Sequence, residues 1–252
     1  MTRLSRPEVS IILPTHNELT NLKILIPQII HVLKAYNLEI IVVDDASTDG
    51  SREWLKRQHQ LHPFISKKQT WFIRPLFGSQ LRGIGFALHR GYNASRGDII
   101  ISLDADLSLS ATIIPQLLSQ INQGYDLVVG SRHHPLGQYQ APNPTIRQKR
   151  FISHLANWLI THLLPIGITD FSLDCRAIRR KLWRQLKLKE TTNIWLIEMI
   201  IAAAIKKARI IEIPVVFKDR RFGVSKLNLK REILFTGYHV IGLIAKYYLT
   251  RP

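Results

Sequence analysis

The chain has 252 residues, and 46% of them are hydrophobic, which is enough apolar surface for a full core and excludes a disordered polypeptide. Lysine and arginine number 35 against 18 aspartates and glutamates, so the net charge is +17, and a surplus of this size indicates an anionic partner. The single cysteine, Cys175, excludes an internal disulfide, which favours cytosolic exposure.

Strand and helix patterns alternate through the first half of the chain. Short apolar runs predict strands, and longer amphipathic stretches predict helices. In chain order, the predicted strands are 9–13, 40–43, 71–74, 99–103 and 127–130, and the predicted helices between them are 21–36, 51–61, 83–95 and 111–123. Such alternation is typical of βαβ units, so we expect an α/β fold with a mainly parallel sheet and helices on both faces.

The pattern changes after Arg132. Residues 133–145 have no period and predict a loop, and 147–164 predict a basic amphipathic helix that either lies at a bilayer interface or packs on the core. The apolar stretch within 227–252 predicts a terminal helix, which is too polar and too short to span a bilayer. We expect it to dock on a membrane surface or a partner, or to pack on the preceding domain, 1–226. The N-terminus lacks the pattern of a secretory signal.

An acidic pair follows the predicted strand 99–103. Asp104 and Asp106 are two residues apart, so their side chains leave the strand on the same side. Two neighbouring carboxylates repel each other unless a cation lies beside them, and Mg²⁺ combines carboxylates with substrate phosphates. The pair therefore predicts a metal and a phosphorylated substrate, and the alternative is a solvated acidic turn.

Two further strand ends carry polar motifs. The run 44–50, Asp-Asp-Ala-Ser-Thr-Asp-Gly, opens a helix, where short acidic side chains can bind ribose hydroxyls and a base edge or can simply cap the helix. Gly83 and Gly85 stand at another helix entrance, where missing side chains allow a ligand to approach closely. The turns 14–18, 44–50, 104–108 and 130–132 each follow a predicted strand, and we expect all four to open onto one crevice, because ligands of parallel sheets bind at the carboxyl ends of strands.

Taken together in order and spacing, these motifs resemble the nucleotide-sugar domain of family 2 inverting glycosyltransferases, which have the GT-A fold. The motifs are Ile-Ile-Leu-Pro-Thr-His-Asn-Glu, Val-Val-Asp-Asp-Ala-Ser-Thr-Asp-Gly, Arg-Gly-Ile-Gly-Phe-Ala, Asp-Ala-Asp-Leu-Ser and Gly-Ser-Arg. Downstream, the segments 170–176 and 219–226, with Glu198-Met and Glu212-Ile-Pro-Val, look like the dolichyl-phosphate mannose synthase and polyprenyl-phosphate glycosyltransferase subgroup. The resemblance covers roughly residues 8 to 235.

The resemblance implies roles for individual residues. The donor nucleotide sugar would be held by Pro14, His16, Glu18, Asp45, Gly83 and Asp104. A divalent cation, Mg²⁺ or Mn²⁺, would bind Asp104 and Asp106, and Arg132, Arg220 and Lys226 would neutralise phosphates during catalysis. The acceptor would contact Lys149, Ser153, Arg176 and Ser225.

Four positions depart from the subgroup. Relatives usually carry tyrosine where this chain has His16, and arginine where it has Lys149. They commonly have a glycine followed by an aromatic residue where this chain has Asp174 and Cys175. We therefore expect the acceptor side of the site to differ more from the family than the donor side.

The implied activity is an inverting transfer of a hexose from a nucleotide-diphosphate sugar to a polyprenyl phosphate, with mannose favoured and glucose the other candidate. The enzyme is expected on the cytoplasmic face of a membrane as a peripheral protein, with or without a small membrane subunit. The alternatives are a family 2 enzyme acting on a saccharide or other soluble acceptor, with a catalytic carboxylate at Glu198 or Asp174, and a non-catalytic relative that binds nucleotide sugar. Nucleic acid is not an expected partner, because the basic residues are dispersed and form no recognised binding motif.

Overall fold

A computed structural model describes residues 6–62, 70–140, 154–155, 157–218 and 229–250, without the side chains of 229–238. The elements in chain order are β1 (Val9–Thr15), α1 (Leu19–Val32), β2 (Leu38–Asp44), α2 (Ser51–Leu61), β3 (Trp71–Phe77), α3 (Ile84–Ala94), β4 (Ile99–Leu103), α4 (Ile113–Asn122), β5 (Leu127–Ser131), β6 (Gln138–Gln140), α5 (157–163), β7 (Cys175–Arg179), α6 (Arg180–Trp183), α7 (Trp195–Ile205), β8 (Ile210–Pro214), β9 (Val216–Lys218) and α8 (Leu229–Thr250).

The main sheet has seven strands in the order β3-β2-β1-β4-β7-β5-β8. All neighbouring strands are parallel except β7, which runs antiparallel between β4 and β5. The prediction of a mainly parallel sheet is confirmed, and all five predicted strands are present. The central antiparallel strand β7 was not predicted.

Successive residues of a strand point to opposite faces of the sheet. Because both faces are covered by helices, residues of both sets are buried, which explains the continuous apolar runs in the sequence. Ile11 and Leu13 of β1 pack with α1 and α4, whereas Ile12 packs with α3 and α7. The helices therefore cover both faces, as predicted, and each face has its own hydrophobic cluster.

The terminal helix α8 packs one face on the domain. Val240, Leu243 and Tyr247 are buried in the cluster that contains α7, whereas Ile241 and Leu249 are exposed. The segment predicted as a loop after Arg132 contains the short strand β6, so that prediction was wrong for 138–140. Within the described residues, no helix is both long and apolar enough to cross a membrane.

A second, two-stranded sheet lies beside the carboxyl end of the main sheet. Strands β6 and β9 pair in parallel, and Tyr139 stacks on Phe217 with ring centroids 5.1 Å apart. The backbone N–H of Lys218 donates to the carbonyl of Ser108 at 2.9 Å. The small sheet is thus attached to the loop that follows β4.

Candidate functional site

The polar residues singled out in the sequence meet at one edge of the sheet. Strands β1, β2 and β4 are parallel neighbours, and β5 runs in the same direction as β4 because both are antiparallel to β7. Their carboxyl ends present His16, Asp45, the acidic pair and Arg132 along the same edge. This shared edge is the ligand-binding position of open α/β sheets.

At the β1 and β2 side of this edge, Asp45 fixes the loop before α3. Its Oδ2 accepts hydrogen bonds from the backbone N–H groups of Arg82 and Gly83, both at 2.7 Å, and its carboxylate is almost fully buried. The Nδ1 atom of His16 lies 2.7 Å from the Asp45 carbonyl oxygen, which favours the tautomer that donates from Nδ1. The structure therefore holds His16 and the loop at 82–83 together through Asp45.

The two glycines at the entrance of α3 serve different purposes. Gly83 has a φ of +92°, a conformation that strains other residues, and a Cβ there would meet open space. A Cβ on Gly85 would lie 2.0 Å from the carbonyl oxygen of Thr192. Gly85 is therefore required by close backbone packing between α3 and the segment before α7, and only Gly83 faces the open edge.

The acidic pair lies in a tight turn after β4. Asp106 Oδ1 accepts from the backbone N–H of Ser108 at 3.0 Å, and Leu107 adopts a φ of +62° between them. Asp106 is 5% exposed, and Asp104 is more open. Within the described ranges no group of three or more His, Cys, Asp or Glu residues could hold a metal. Two carboxylates still fit Mg²⁺ or Mn²⁺, because these ions take their remaining oxygen ligands from water and substrate phosphate.

Arg132, at the end of β5, is held by a bidentate ion pair. Its Nε and Nη2 donate to Asp170 at 2.7 and 2.9 Å, and its guanidinium lies 5.4 Å from the Phe217 ring centroid. Burial alone would raise the pKa of Asp170, but Arg132 more than offsets this and holds the pKa of that carboxyl below its ordinary value. Burial would likewise lower the pKa of Arg132, but Asp170, with smaller contributions from Tyr139 and Asp104, raises it. Arg132 is therefore a fixed cation beside the acidic pair.

The loop that carries Asp170 is anchored by a second carboxylate. Glu212 accepts from the backbone N–H of Thr169 at 2.7 Å and from its hydroxyl, and this hydroxyl also contacts Ser131 Oγ at 2.8 Å. These contacts join β5, β8 and the loop before β7. Sequence reasoning quoted Asp170 and Glu212 only as parts of motifs, and their partners were not predicted because they lie about forty residues away along the chain.

Arg176 and Asp174 of the downstream motifs are buried inside the fold. Arg176 has no exposed surface, and its guanidinium donates to the carbonyls of Phe171, Leu173 and Leu196. Burial raises the pKa of Asp174 to about 6, while a hydrogen bond from Ser102 and the charge of Arg176 act in the opposite direction. These contacts give Arg176 a structural role, and its predicted contact with the acceptor stays a prediction.

The carboxylate of Glu198 in α7 is hydrogen-bonded to the segment that precedes this helix. Its carboxylate accepts from the backbone N–H groups of Lys189 and Glu190 at 3.0 Å, and it is 3% exposed. A carboxylate so placed stabilises a turn, which argues against the general base that a hydroxyl acceptor would need.

The remaining predicted site residues divide into two groups. Pro14 and Glu18 lie at the end of β1, where Glu18 accepts from Asn21. The positions Lys149, Ser153, Arg220, Ser225 and Lys226 lie outside the described residues. The structure thus brings the predicted donor and metal residues to one edge, and their roles stay predictions.

Sequence comparisons assign relatives to this chain. The family model of glycosyl transferase family 2 matches residues 10–186. The chain is 32% identical over 225 residues to a dolichol-phosphate mannosyltransferase of Pyrococcus furiosus, covering 88% of this chain but only 60% of that protein. It is 29% identical to an undecaprenyl-phosphate mannosyltransferase of Micrococcus luteus, with 86% of both chains covered.

Solved structures show the same architecture. Glucosyl-3-phosphoglycerate synthase of Mycobacterium tuberculosis, in complex with Mn²⁺, UDP and glucosyl-3-phosphoglycerate, superposes with a TM-score of 0.68 at 19% identity, covering 96% of this chain and 80% of that one. The same enzyme in complex with Mg²⁺ and UDP gives a TM-score of 0.67 at 19% identity, covering 96% and 79%. This likeness confirms the predicted GT-A fold.

Proposed function

Because this chain belongs to glycosyl transferase family 2, we propose that it transfers a hexose, with mannose favoured, from a nucleotide-diphosphate sugar to a polyprenyl phosphate. The names of the relatives from Pyrococcus and Micrococcus support this reaction. The observation that carries the proposal is the alignment of His16 and Asp45, the acidic pair and Arg132 along one sheet edge. That order matches a nucleoside, a diphosphate and an anionic acceptor laid side by side.

Each part of the edge has a chemical task in this proposal. Asp104 and Asp106 would hold Mg²⁺ or Mn²⁺, and such an ion, when bound, neutralises negative charge on the leaving diphosphate. Asp45 and His16 hold the nucleoside end, and Arg132 supplies a fixed positive charge where phosphate oxygens collect. In-line attack on the face opposite the leaving group inverts the anomeric centre.

The acceptor explains why no general base is needed. A phosphate monoester loses its second proton near pH ~6, so a polyprenyl phosphate is largely dianionic at neutral pH. It attacks without being deprotonated. This agrees with the role of Glu198, whose carboxylate accepts hydrogen bonds from the Lys189 and Glu190 amides. A sugar hydroxyl as acceptor would require a base in that region.

The direct test incubates the purified chain with Mg²⁺, polyprenyl phosphate and labelled GDP-mannose or UDP-glucose. We expect the label to move into the organic phase, from GDP-mannose faster than from UDP-glucose. A parallel reaction with soluble saccharides in place of the lipid addresses the alternative acceptor class. Transfer to the saccharide alone, or to neither acceptor, would contradict the proposal.

We further propose that the enzyme reaches its lipid substrate from a membrane surface. Helix α5 and the residues just before it expose Leu155, Trp158 and Leu159, each at least 50% accessible. The hydroxyl of Tyr248 in α8 donates to the carbonyl of Leu163 at 2.6 Å, so the exposed face of α8 adjoins this stripe. An apolar face with tryptophan on a basic protein suits the interface of an anionic leaflet.

Replacing Trp158 and Leu159 together by serine is expected to weaken binding to phosphatidylglycerol vesicles at least about tenfold, because each buried side chain of this kind contributes roughly 1.5–3 kcal/mol. Co-sedimentation measures the effect. Leu61→Ser is the matched control, since Leu61 is 67% exposed on α2 and far from α5 in sequence. Equal binding by the wild type, the Trp158 and Leu159 double variant and Leu61→Ser would show that α5 does not contact the membrane. The alternative is that a small membrane subunit covers this apolar face. In that case the chain alone should not bind vesicles.

A further inference from the structure

A basic cavity lies at the opposite end of the sheet from the acidic pair. It has a volume of about 320 Å³ and lies between the end of α3 and the segment 180–188. Arg180 marks its position, because its backbone N–H donates to the carbonyl of Asp98 and its Nε donates to the carbonyl of Gly97 at 2.6 Å. Both carbonyls belong to the turn that enters β4, whereas Asp104 follows the end of that strand.

The lining combines an aromatic floor with a cationic wall. Tyr92 and Trp183 are buried, with ring centroids 5.0 Å apart, and form the apolar part of the cavity. Arg180, Arg184 and Lys187 supply the charge, and the residues that line the cavity include no aspartate or glutamate. A cavity with this lining attracts an anion that also has a flat or apolar part.

The carboxylates nearest to Arg180 already have other partners. Asp98 pairs with Arg6 at 2.5 Å, and Glu39 accepts from Ser10 and from the backbone N–H of Arg96. Burial lowers the pKa of Arg180, and repulsion from Arg6 and Arg184 lowers it further. Glu39 and Asp98 act in the opposite direction and more weakly, so these acidic neighbours neutralise the positive charge of the cluster only in part.

One guanidinium nitrogen of Arg180 lacks an acceptor. Its Nη2 atom is shielded from solvent, and no described residue accepts a hydrogen bond from it. A buried donor without a partner is costly, and native structures usually satisfy such groups. The Arg180 guanidinium therefore has one unsatisfied donor and adds to the excess of positive charge beside the cavity.

We propose that this cavity binds a phosphoryl group, whose negative charge Arg180, Arg184 and Lys187 neutralise. Arginine and lysine are suited to this contact by their fork geometry and point charge respectively. The ligand is either a free phosphate compound or the headgroup of an anionic lipid. In both cases the site is separate from the donor edge of the sheet.

The test compares three forms of the full chain. Inorganic phosphate is titrated into the wild type, into Arg184→Gln with Lys187→Gln, and into Lys23→Gln with Lys34→Gln. The last pair is the matched control, because it removes the same charge from exposed positions on and just after α1. Calorimetry measures the affinity for phosphate. Tryptophan fluorescence is recorded in the same titrations, and a change that is lost in Trp183→Phe shows that phosphate binds in the cavity.

We expect the Arg184 and Lys187 substitutions to weaken phosphate binding at least fivefold and the control to leave it unchanged. Equal weakening in both variants, no binding to the wild type, or a fluorescence change that persists in Trp183→Phe would each overturn the proposal. Binding to vesicles of phosphatidylglycerol and of phosphatidylcholine distinguishes a lipid headgroup from a free phosphate compound as the ligand. A loss of anionic vesicle binding in the first variant assigns the site to a lipid headgroup, and unchanged vesicle binding beside lost phosphate binding assigns it to a free phosphate compound.

Discussion

Replacing Asp106 by asparagine is expected to lower the rate of hexose transfer at least about a thousandfold, which corresponds to roughly 4 kcal/mol of transition-state stabilisation. Asp106 is the more buried carboxylate of the pair, and its Oδ1 is already oriented by the Ser108 amide. The substitution keeps the size of the side chain and its carbonyl oxygen but removes its charge. A weakened hold on the divalent ion leaves the charge of the leaving diphosphate without compensation. Labelled transfer to polyprenyl phosphate at saturating substrate measures the loss.

Asp98→Asn is the matched control for this experiment. Asp98 precedes β4 as Asp104 follows it, and its exposed carboxylate pairs with Arg6. We expect activity within about twofold of the wild type, since exposed ion pairs contribute little. The Asp106 variant should also show a weaker dependence of nucleotide affinity on Mg²⁺. Normal transfer by Asp106→Asn would remove this residue from the mechanism.

The second large effect concerns stability. Asp170→Ala is expected to lower the free energy of unfolding by about 3–5 kcal/mol, because it leaves the Arg132 guanidinium, only 14% exposed, without its counter-charge. It also removes the acceptor of the Arg132 and Leu173 backbone amides. Urea unfolding at neutral pH measures the change. Asp98→Ala is again the control, and its expected cost is below about 1 kcal/mol.

The Asp170 effect should depend on pH in a defined direction. The pKa of Asp170 is lowered in the folded state, so the carboxylate contributes stability above its unfolded value of about 3.9, and this contribution is lost as the pH falls toward the lowered folded value. The gap in stability between wild type and Asp170→Ala should therefore be full at neutral pH and shrink in acid. A gap that is small at neutral pH, or that grows on acidification, would show that Arg132 does not depend on Asp170.

The strands β1, β2, β4 and β5 could be predicted because each contains an apolar run that is buried on both faces, and the edge strand β3 could be predicted from its apolar start, Trp-Phe-Ile. Strand β7 could not, because Arg176 interrupts its pattern, and its buried guanidinium is satisfied by the carbonyls of Phe171 and Leu173 in the loop before β7 and of Leu196 in α7. Strand β6 escaped prediction for a similar reason, since Gln-Tyr-Gln has no apolar alternation and depends on pairing with β9.

The candidate site shows the same division. Asp45, the acidic pair and Arg132 follow predicted strands, so the sequence places them at one edge. Their partners are set by tertiary structure: Asp45 contacts Arg82 and Gly83, and Arg132 contacts Asp170, and the sequence separation |i−j| of these pairs is 37 or 38. Local sequence patterns carry no signal for such contacts. For the same reason, the close packing of Gly85 against the segment before α7 could not be predicted from the sequence.

The insertion of β7 between β4 and β5 has a consequence for how the molecule is made. The strand synthesised later separates two strands that precede it in the chain, and it pairs with both of them. A nascent chain that ends before residue 175 therefore lacks the strand that joins β5 to β4 in the sheet, and β5 can reach the first half of the domain only through helix contacts. The sheet edge that carries Asp45, the acidic pair and Arg132 is therefore complete only after the chain has been synthesised through Arg179.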